Sequence, residues 1–403
     1  MKIKNVVLQA LAFGLLPMGA SAQKQVSIDW YGFVAAQSFR NTHASQAKAE
    51  GFLYLFPLDK DVADANGNMN DNSNGSEFGT MARVGFTLKG PDILGVSTRA
   101  KAEIEFSGHK SGEILYRHAF MAFDWEDGGT LIIGQTWHPM NDLFPNTVGI
   151  AIGAPFNPLN RSPQLRGEGF LDKQQNIKLT IASIFQSMNT STGPNGNTYN
   201  YSRNSSVPLI YGGLDFKLGN LKLGAGVEYQ DIVPFVDAAD NNKKYHLTGF
   251  TGMVQAHYAK DKLSIKAKGL LGQNMSHLGI CSGYGLVANL DNPGKIEYAP
   301  LTALSTWAQV LYGGDLKCGL FGGYMKNYGA NKDLSKVYAI GGGNIDSMWR
   351  LTPSVTYTVG NVVFGCEFEF TSVAYGKVES KGTVTDTHDV NNLRSLVSVM
   401  YNF

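Results

Sequence analysis

Stretches of about ten residues in which apolar and polar side chains alternate recur along this chain. They limit what it can fold into more than any other feature. In residues 96–106, Val96, Thr98, Ala100, Ala102, Ile104 and Phe106 share one face, and Ser97, Arg99, Lys101, Glu103 and Glu105 the other. Residues 349–359 set Trp349, Leu351, Pro353, Val355, Tyr357 and Val359 against Arg350, Thr352, Ser354, Thr356 and Thr358. Residues 361–371 oppose Val362, Phe364, Cys366, Phe368 and Phe370 to Asn361, Glu367, Glu369 and Thr371. Residues 221–230 oppose Leu221, Leu223, Ala225, Val227 and Tyr229 to Lys222, Glu228 and Gln230. A period of two puts such sets on opposite faces of a sheet. Roughly ten residues is the length with which a tilted strand crosses hydrocarbon, and beyond Ala22 no apolar run nears the ~18 residues of a spanning helix.

The polar faces carry spaced Arg, Lys and Glu among small residues, as expected of a wall that is apolar outside and wet inside. With 47 Gly, 18 Tyr and 22 Phe but only 17% charged residues, the composition suits that wall better than a soluble β-protein. The fixed-period repeat of a propeller or solenoid is not found. An open sheet in lipid would leave edge N–H and C=O groups unpaired, so the sheet is expected to close.

Short and long connections alternate. Tight joints fall near Gly90-Leu94, Glu126-Gly129, Leu171-Lys173, Gly219, Ala259-Asp261, Gly313-Asp315 and Gly360. Between them lie longer, mostly polar connections at 41–77, 138–162, 188–206, 232–246, 276–301, 329–346 and 375–391, with a shorter one at 108–112. This punctuation predicts an all-β, transmembrane antiparallel β-barrel of about 16 strands. The strands centre near residues 33, 84, 101, 119, 133, 167, 181, 213, 225, 253, 267, 308, 321, 353, 366 and 398. Both termini then fall on the short-turn side. The last segment, Arg394 to Phe403, alternates Val397, Val399, Tyr401 and Phe403, as expected of a closing strand whose aromatic end sits in the lipid interface.

Residues 1–22 read as a cleaved signal peptide: Lys2 and Lys4, an apolar core from Asn5 to Pro17, and Ala20-Ser21-Ala22 before the first mature residue, Gln23. The barrel is then 23–403, in the outer membrane of a Gram-negative cell, against lipid and lipopolysaccharide. Loss of Lys2 and Lys4 turns the formal charge from +1 to −1, a balance that argues against a nucleic-acid partner. Three cysteines, Cys281, Cys318 and Cys366, exclude a fully paired disulfide framework.

The third long loop, 138–162, is too apolar for an exposed segment. It contains Leu143, Phe144, Val148, Ile150, Ile152, Phe156 and four prolines. Apolar loop residues need a surface to pack on, and the barrel wall supplies one if the loop folds into the lumen. A loop docked on a neighbouring subunit is the alternative. Flanking strands offer a basic row, Arg83, Arg99, Lys101, Arg117 and Arg166, with Arg161 ending the loop. Together with Glu103, Glu105, Asp142, Phe144 and Phe156, these are the expected pore-lining and constriction residues. Lumen-facing cations would attract anions, unless Glu103 and Glu105 balance them.

Residues 79–170 resemble the amino-terminal half of the DcaP-like porins. The likeness lies in Ala82-Arg83-Val84-Gly85-Phe86, Tyr116-Arg117-His118-Ala119-Phe120, Ile133-Gly134-Gln135-Thr136-Trp137 and Arg161-Ser162-Pro163-Gln164-Leu165-Arg166. The resemblance implies a sixteen-stranded homotrimeric porin with an inward third loop and a preference for small anionic solutes. A long first loop, 41–77, with the apolar piece Phe52-Leu53-Tyr54-Leu55-Phe56, departs from the pattern. Residues 28–39 and 114–125 carry bulk on both faces, as a wall against another subunit would allow.

Other chemistry is disfavoured. His118, His138, Asp142 and Ser162 are not spaced as a hydrolase constellation, and no phosphate-cradling Gly loop occurs. Asp64-Ala65-Asn66-Gly67-Asn68 begins like a calcium loop, but Met69 replaces its glycine, so neither a metal nor a cofactor is expected. A plugged 22-strand transporter does not fit this length. The rival readings are a non-conducting surface receptor or adhesin, and a fatty-acid-type channel.

Overall fold

The computed structural model describes residues 26–49, 53–60, 69–71, 76–107, 114–289 and 294–403. The signal peptide expected over 1–22, and the calcium-like start at Asp64, lie outside them. Sixteen antiparallel strands close into one barrel in which each strand pairs with its sequence neighbours. They are β1 (Ser27–Asn41), β2 (Ser76–Lys89), β3 (Ser97–Ser107), β4 (Ile114–Asp124), β5 (Thr130–Trp137), β6 (Arg161–Phe170), β7 (Ile177–Ile184) and β8 (Leu209–Leu218). The second half comprises β9 (Leu221–Asp237), β10 (Lys243–Lys260), β11 (Leu263–Gln273), β12 (Thr302–Gly313), β13 (Leu316–Gly329), β14 (Ile345–Val359), β15 (Val362–Val378) and β16 (Val384–Asn402). All sixteen expected centres fall inside these strands.

The ring is completed between the chain ends. β1 pairs with β16 from Phe33↔Asn402 to Asn41↔Arg394. Phe403 accepts the Gly32 N–H at 2.9 Å and donates its own to Gly32 O at 3.1 Å. Gly32 is required there, because a Cβ would stand 2.6 Å from the Phe403 ring.

Outward positions form an apolar band: Phe250 and Val254 are 58% and 63% exposed, and Leu320, Leu351, Phe364, Phe368 and Val397 stand out likewise. Their strand neighbours point inward and are polar: Glu228, Gln230, Lys268, Gln309, Arg350, Glu367 and Glu369 are buried. Among the described residues no helix is long and apolar enough to cross a membrane; strands make the wall. The three cysteines are unpaired.

One expectation needs correction. β9, β10, β15 and β16 run well into the stretches 232–246 and 375–391, leaving only 238–242 and 379–383 between strands. Alternation is lost there because Ile232 and Val233 are both buried, with Ile232 packed on Tyr201 and Tyr284 under the loops, and polar residues such as Asp237 and Lys243 follow. The inward bulk of β1 also has an internal use. Arg83 stacks on Phe33 at 4.7 Å and Lys101 on Tyr31 at 4.8 Å, so the inward face packs against lumen cations, while Trp30 and Val34 stand exposed on the outward face.

Candidate functional site

The third loop lies inside the barrel. Inward side chains of the far wall hold its backbone. Lys268 Nζ donates to Met140 O and Leu143 O, both at 2.5 Å. Gln309 brackets Asn146, accepting its N–H at 2.8 Å and donating to its carbonyl at 2.7 Å. Glu367 accepts the N–H groups of Val148 and Gly149 at 2.7 and 3.2 Å. Trp307 Nε1 donates to Asn157 Oδ1 at 3.0 Å, and Ser305 Oγ to Phe156 O at 2.9 Å. Phe156 is wholly buried against Phe321, itself stacked on Trp307, in a core that includes Met140, Ala154 and Leu159. The two expected constriction aromatics therefore part company: Phe156 packs, whereas Phe144 is 37% exposed.

Facing strands carry the expected charges. Arg83 and Glu105 are direct cross-strand partners on β2 and β3. Arg83 reaches Glu105 Oε2 at 2.5 Å, Arg117 reaches Glu103 Oε1 at 2.5 Å, and a second Arg117 nitrogen reaches Glu105 Oε2 at 2.9 Å. Tyr31 donates to Glu103 at 2.8 Å. Arg117 is inside because the ladder slips between Glu103 and Ile104, where Glu103 pairs with His118 and Ile104 with Tyr116. Such a bulge turns two successive residues to one side, and Arg117 and His118 are both buried.

The remaining cations are arranged differently. Arg99 pairs with Asp124 at 2.6 Å, near the short-turn end. Arg166 pairs with Asp142 of the loop at 2.9 Å and with Glu168. Lys101 and Arg161 have no carboxylate partner among the described residues. Arg161 is 3% exposed and stacks on Trp137 at 4.4 Å. Its Nε and one terminal nitrogen find no hydrogen-bond acceptor among the described residues. Most of the basic row is thus neutralised in place, as the balancing role of Glu103 and Glu105 anticipates.

Sequence reasoning missed a buried trio. Glu228 of β9 stands 2.6 Å from Nε2 of His138, the first loop residue, and 2.7 Å from Nε2 of His277. The three are fully buried and would suit a metal by residue type. Their hydrogen bonds argue otherwise. His138 Nδ1 accepts the Met140 N–H at 3.2 Å, so its one proton is on Nε2, facing Glu228. A metal on Nε2 would need that proton on Nδ1, where only a donor is available. The trio is an anchor for the loop base, helped by Asn160 Nδ2 donating to His277 O at 2.6 Å. Ser162 Oγ donates to Asn160 Oδ1 at 2.7 Å, so it is not paired with a histidine base.

No family model matches the chain. No curated protein matches it. Solved structures do. The outer membrane channel DcaP of Acinetobacter baumannii superposes with a TM-score of 0.71 at 15% identity, over 95% of this chain and 100% of that one. OmpF of Salmonella typhi, in complex with daunomycin, gives 0.55 at 11% identity over 93% and 97%. OmpT of Vibrio cholerae in its trimer form gives 0.51 at 11% identity over 94% and 100%. The fold of this chain is that of the outer-membrane porins, with DcaP as the strong likeness that the motifs in 79–170 lead one to expect.

Proposed function

We propose that this chain is an outer-membrane porin that lets small hydrophilic solutes diffuse passively through its lumen. The observation that carries this reading is the division of one closed wall into an apolar exterior and a charged interior, with a long loop bound inside. Water and ions are stable along that interior, and the exterior requires hydrocarbon. A fatty-acid-type channel would need an apolar passage, whereas the wall from β2 to β6 is lined by Arg83, Glu103, Glu105, Arg117, Arg161 and Arg166.

Selectivity for anionic, carboxylate-type solutes is assigned to the cations left without acid partners, above all Arg161 and Lys101. A guanidinium held 4.4 Å over the Trp137 ring, with two nitrogens lacking an acceptor among the described residues, favours a planar anion. The third loop sets the narrow point. The barrel works among lipid and lipopolysaccharide, and as a homotrimer, for which the likeness to OmpT in its trimer form is the support.

Liposome swelling tests this. Reconstituted protein is expected to admit small carboxylates faster than neutral sugars of equal size. Equal rates would remove the anion preference; an absence of swelling with any solute would remove the channel.

A further inference from the structure

The third loop is not alone in the lumen. Part of the first long loop folds into a hairpin, Ser45–Ala49 against Leu53–Pro57. Its base is bound to β15 and β16. Asn392 Oδ1 accepts the N–H groups of Thr42 and His43 at 2.9 and 3.0 Å, and Tyr375 donates to Pro57 O at 2.7 Å. Its other end reaches Lys48, whose Nζ donates to Asn189 Oδ1 at 2.8 Å. Asn189 belongs to the connection between β7 and β8, which lies eight places round the sixteen-strand ring from β15 and β16. Asn189 in turn donates to Leu159 O of the third loop, so the hairpin is tied at its base to β15 and β16 and at Lys48 to a connection that itself rests on the third loop.

It also rests on the third loop. One terminal nitrogen of Arg350 donates to Ala154 O of that loop at 2.9 Å, and the other donates to Leu55 O of the hairpin. Leu55 and Phe56 share one buried core with Met140, Ala154 and Phe156. Arg350 itself is fixed by Glu369 at 3.2 Å and by Thr371.

We propose that the paired segments 45–49 and 53–57 form a crossbar over the lumen, a second size-limiting element coupled to the third loop through Arg350. It confines solutes to the part of the cross-section that neither loop fills. Arg350 is a positioning residue, since it acts through two backbone carbonyls. This inference rests on the channel reading. If that reading holds, removal of the crossbar widens the path even with the third loop intact.

The test uses the mature barrel in planar bilayers. Replacing 45–57 by a short Gly-Ser link is expected to raise single-channel conductance roughly twofold and to admit larger solutes in swelling assays. A folded variant with unchanged conductance and size limit would overturn the crossbar. A milder variant covers the case in which the deletion fails to fold. Lys48→Cys, in a background with Cys281, Cys318 and Cys366 changed to Ser, is expected to lose at least half its current once a bulky maleimide is attached from the loop side. An unchanged current after complete labelling would overturn the inference. A parent barrel that never conducts would overturn the channel reading instead.

Discussion

The ring of Phe156 fills the space that a side chain at position 323 would need: a Cβ on Gly323 would stand 2.5 Å from Phe156 Cγ. The inner face of β13 is bare at this point so that the third loop can lie against it. Gly323→Val is therefore expected to lift Phe156 from Phe321. Overpacking of this kind destabilises by about 1–3 kcal/mol. The unfolding temperature in detergent should fall, and channel conductance should change with it. Wild-type conductance and stability together would mean that Phe156 does not pack there.

The strand plan was legible because lipid and water impose opposite demands on successive residues. Val96 to Phe106 alternate without a fault, and so do Trp349 to Val359. Legibility ended where the demands changed. Residues 28–39 carry bulk on both faces, and only the stacking of Tyr31 and Phe33 with Lys101 and Arg83 shows which part of it is turned inward. The phase of Arg117 is set by a ladder slip that leaves no mark in composition. His138, Glu228 and His277 are far apart in sequence and meet only because the barrel register and two loops bring them together. The apolar piece at Leu53 to Phe56 stood out as a departure from the family pattern, but nothing in the sequence tied it to Arg350 or the third loop.

Arg161 and Arg117 separate charge selectivity from stability. Arg161→Gln removes a cation with no acid partner among the described residues, so reversal potentials should move toward cation preference with little loss of stability. Arg117→Gln strips both Glu103 and Glu105 of a partner, and breaking a buried pair costs about 3–5 kcal/mol. Thermal unfolding should show that contrast. Equal destabilisation by the two variants would contradict the pairing described above.

Glu228→Gln tests the buried trio. The amide offers one acceptor and one donor to two imidazole N–H groups, leaving a donor facing a donor. An unmet buried hydrogen bond costs about 1–3 kcal/mol. Chelator treatment of the wild-type protein should leave its melting temperature unchanged, and added zinc should not raise it. Stabilisation by zinc that is lost in Glu228→Gln would reinstate a metal site.

Cys281 reports on the packed loops. It lies in the same core as Leu55 and Phe156, and burial pushes its thiol up to about 12. Since the thiolate is the reactive form, Cys281 as the sole cysteine should resist a charged maleimide at pH 8 in the folded barrel. Deletion of residues 146–156 should make it react. Rapid labelling of the intact protein would mean that this core is open.

The most direct test of the whole account is single-channel recording from the refolded mature chain in planar bilayers. Stepwise ohmic currents are expected, larger in the variant lacking 146–156 and with reversal potentials that favour anions. A correctly folded barrel that inserts and passes no current, with or without that segment, would contradict it.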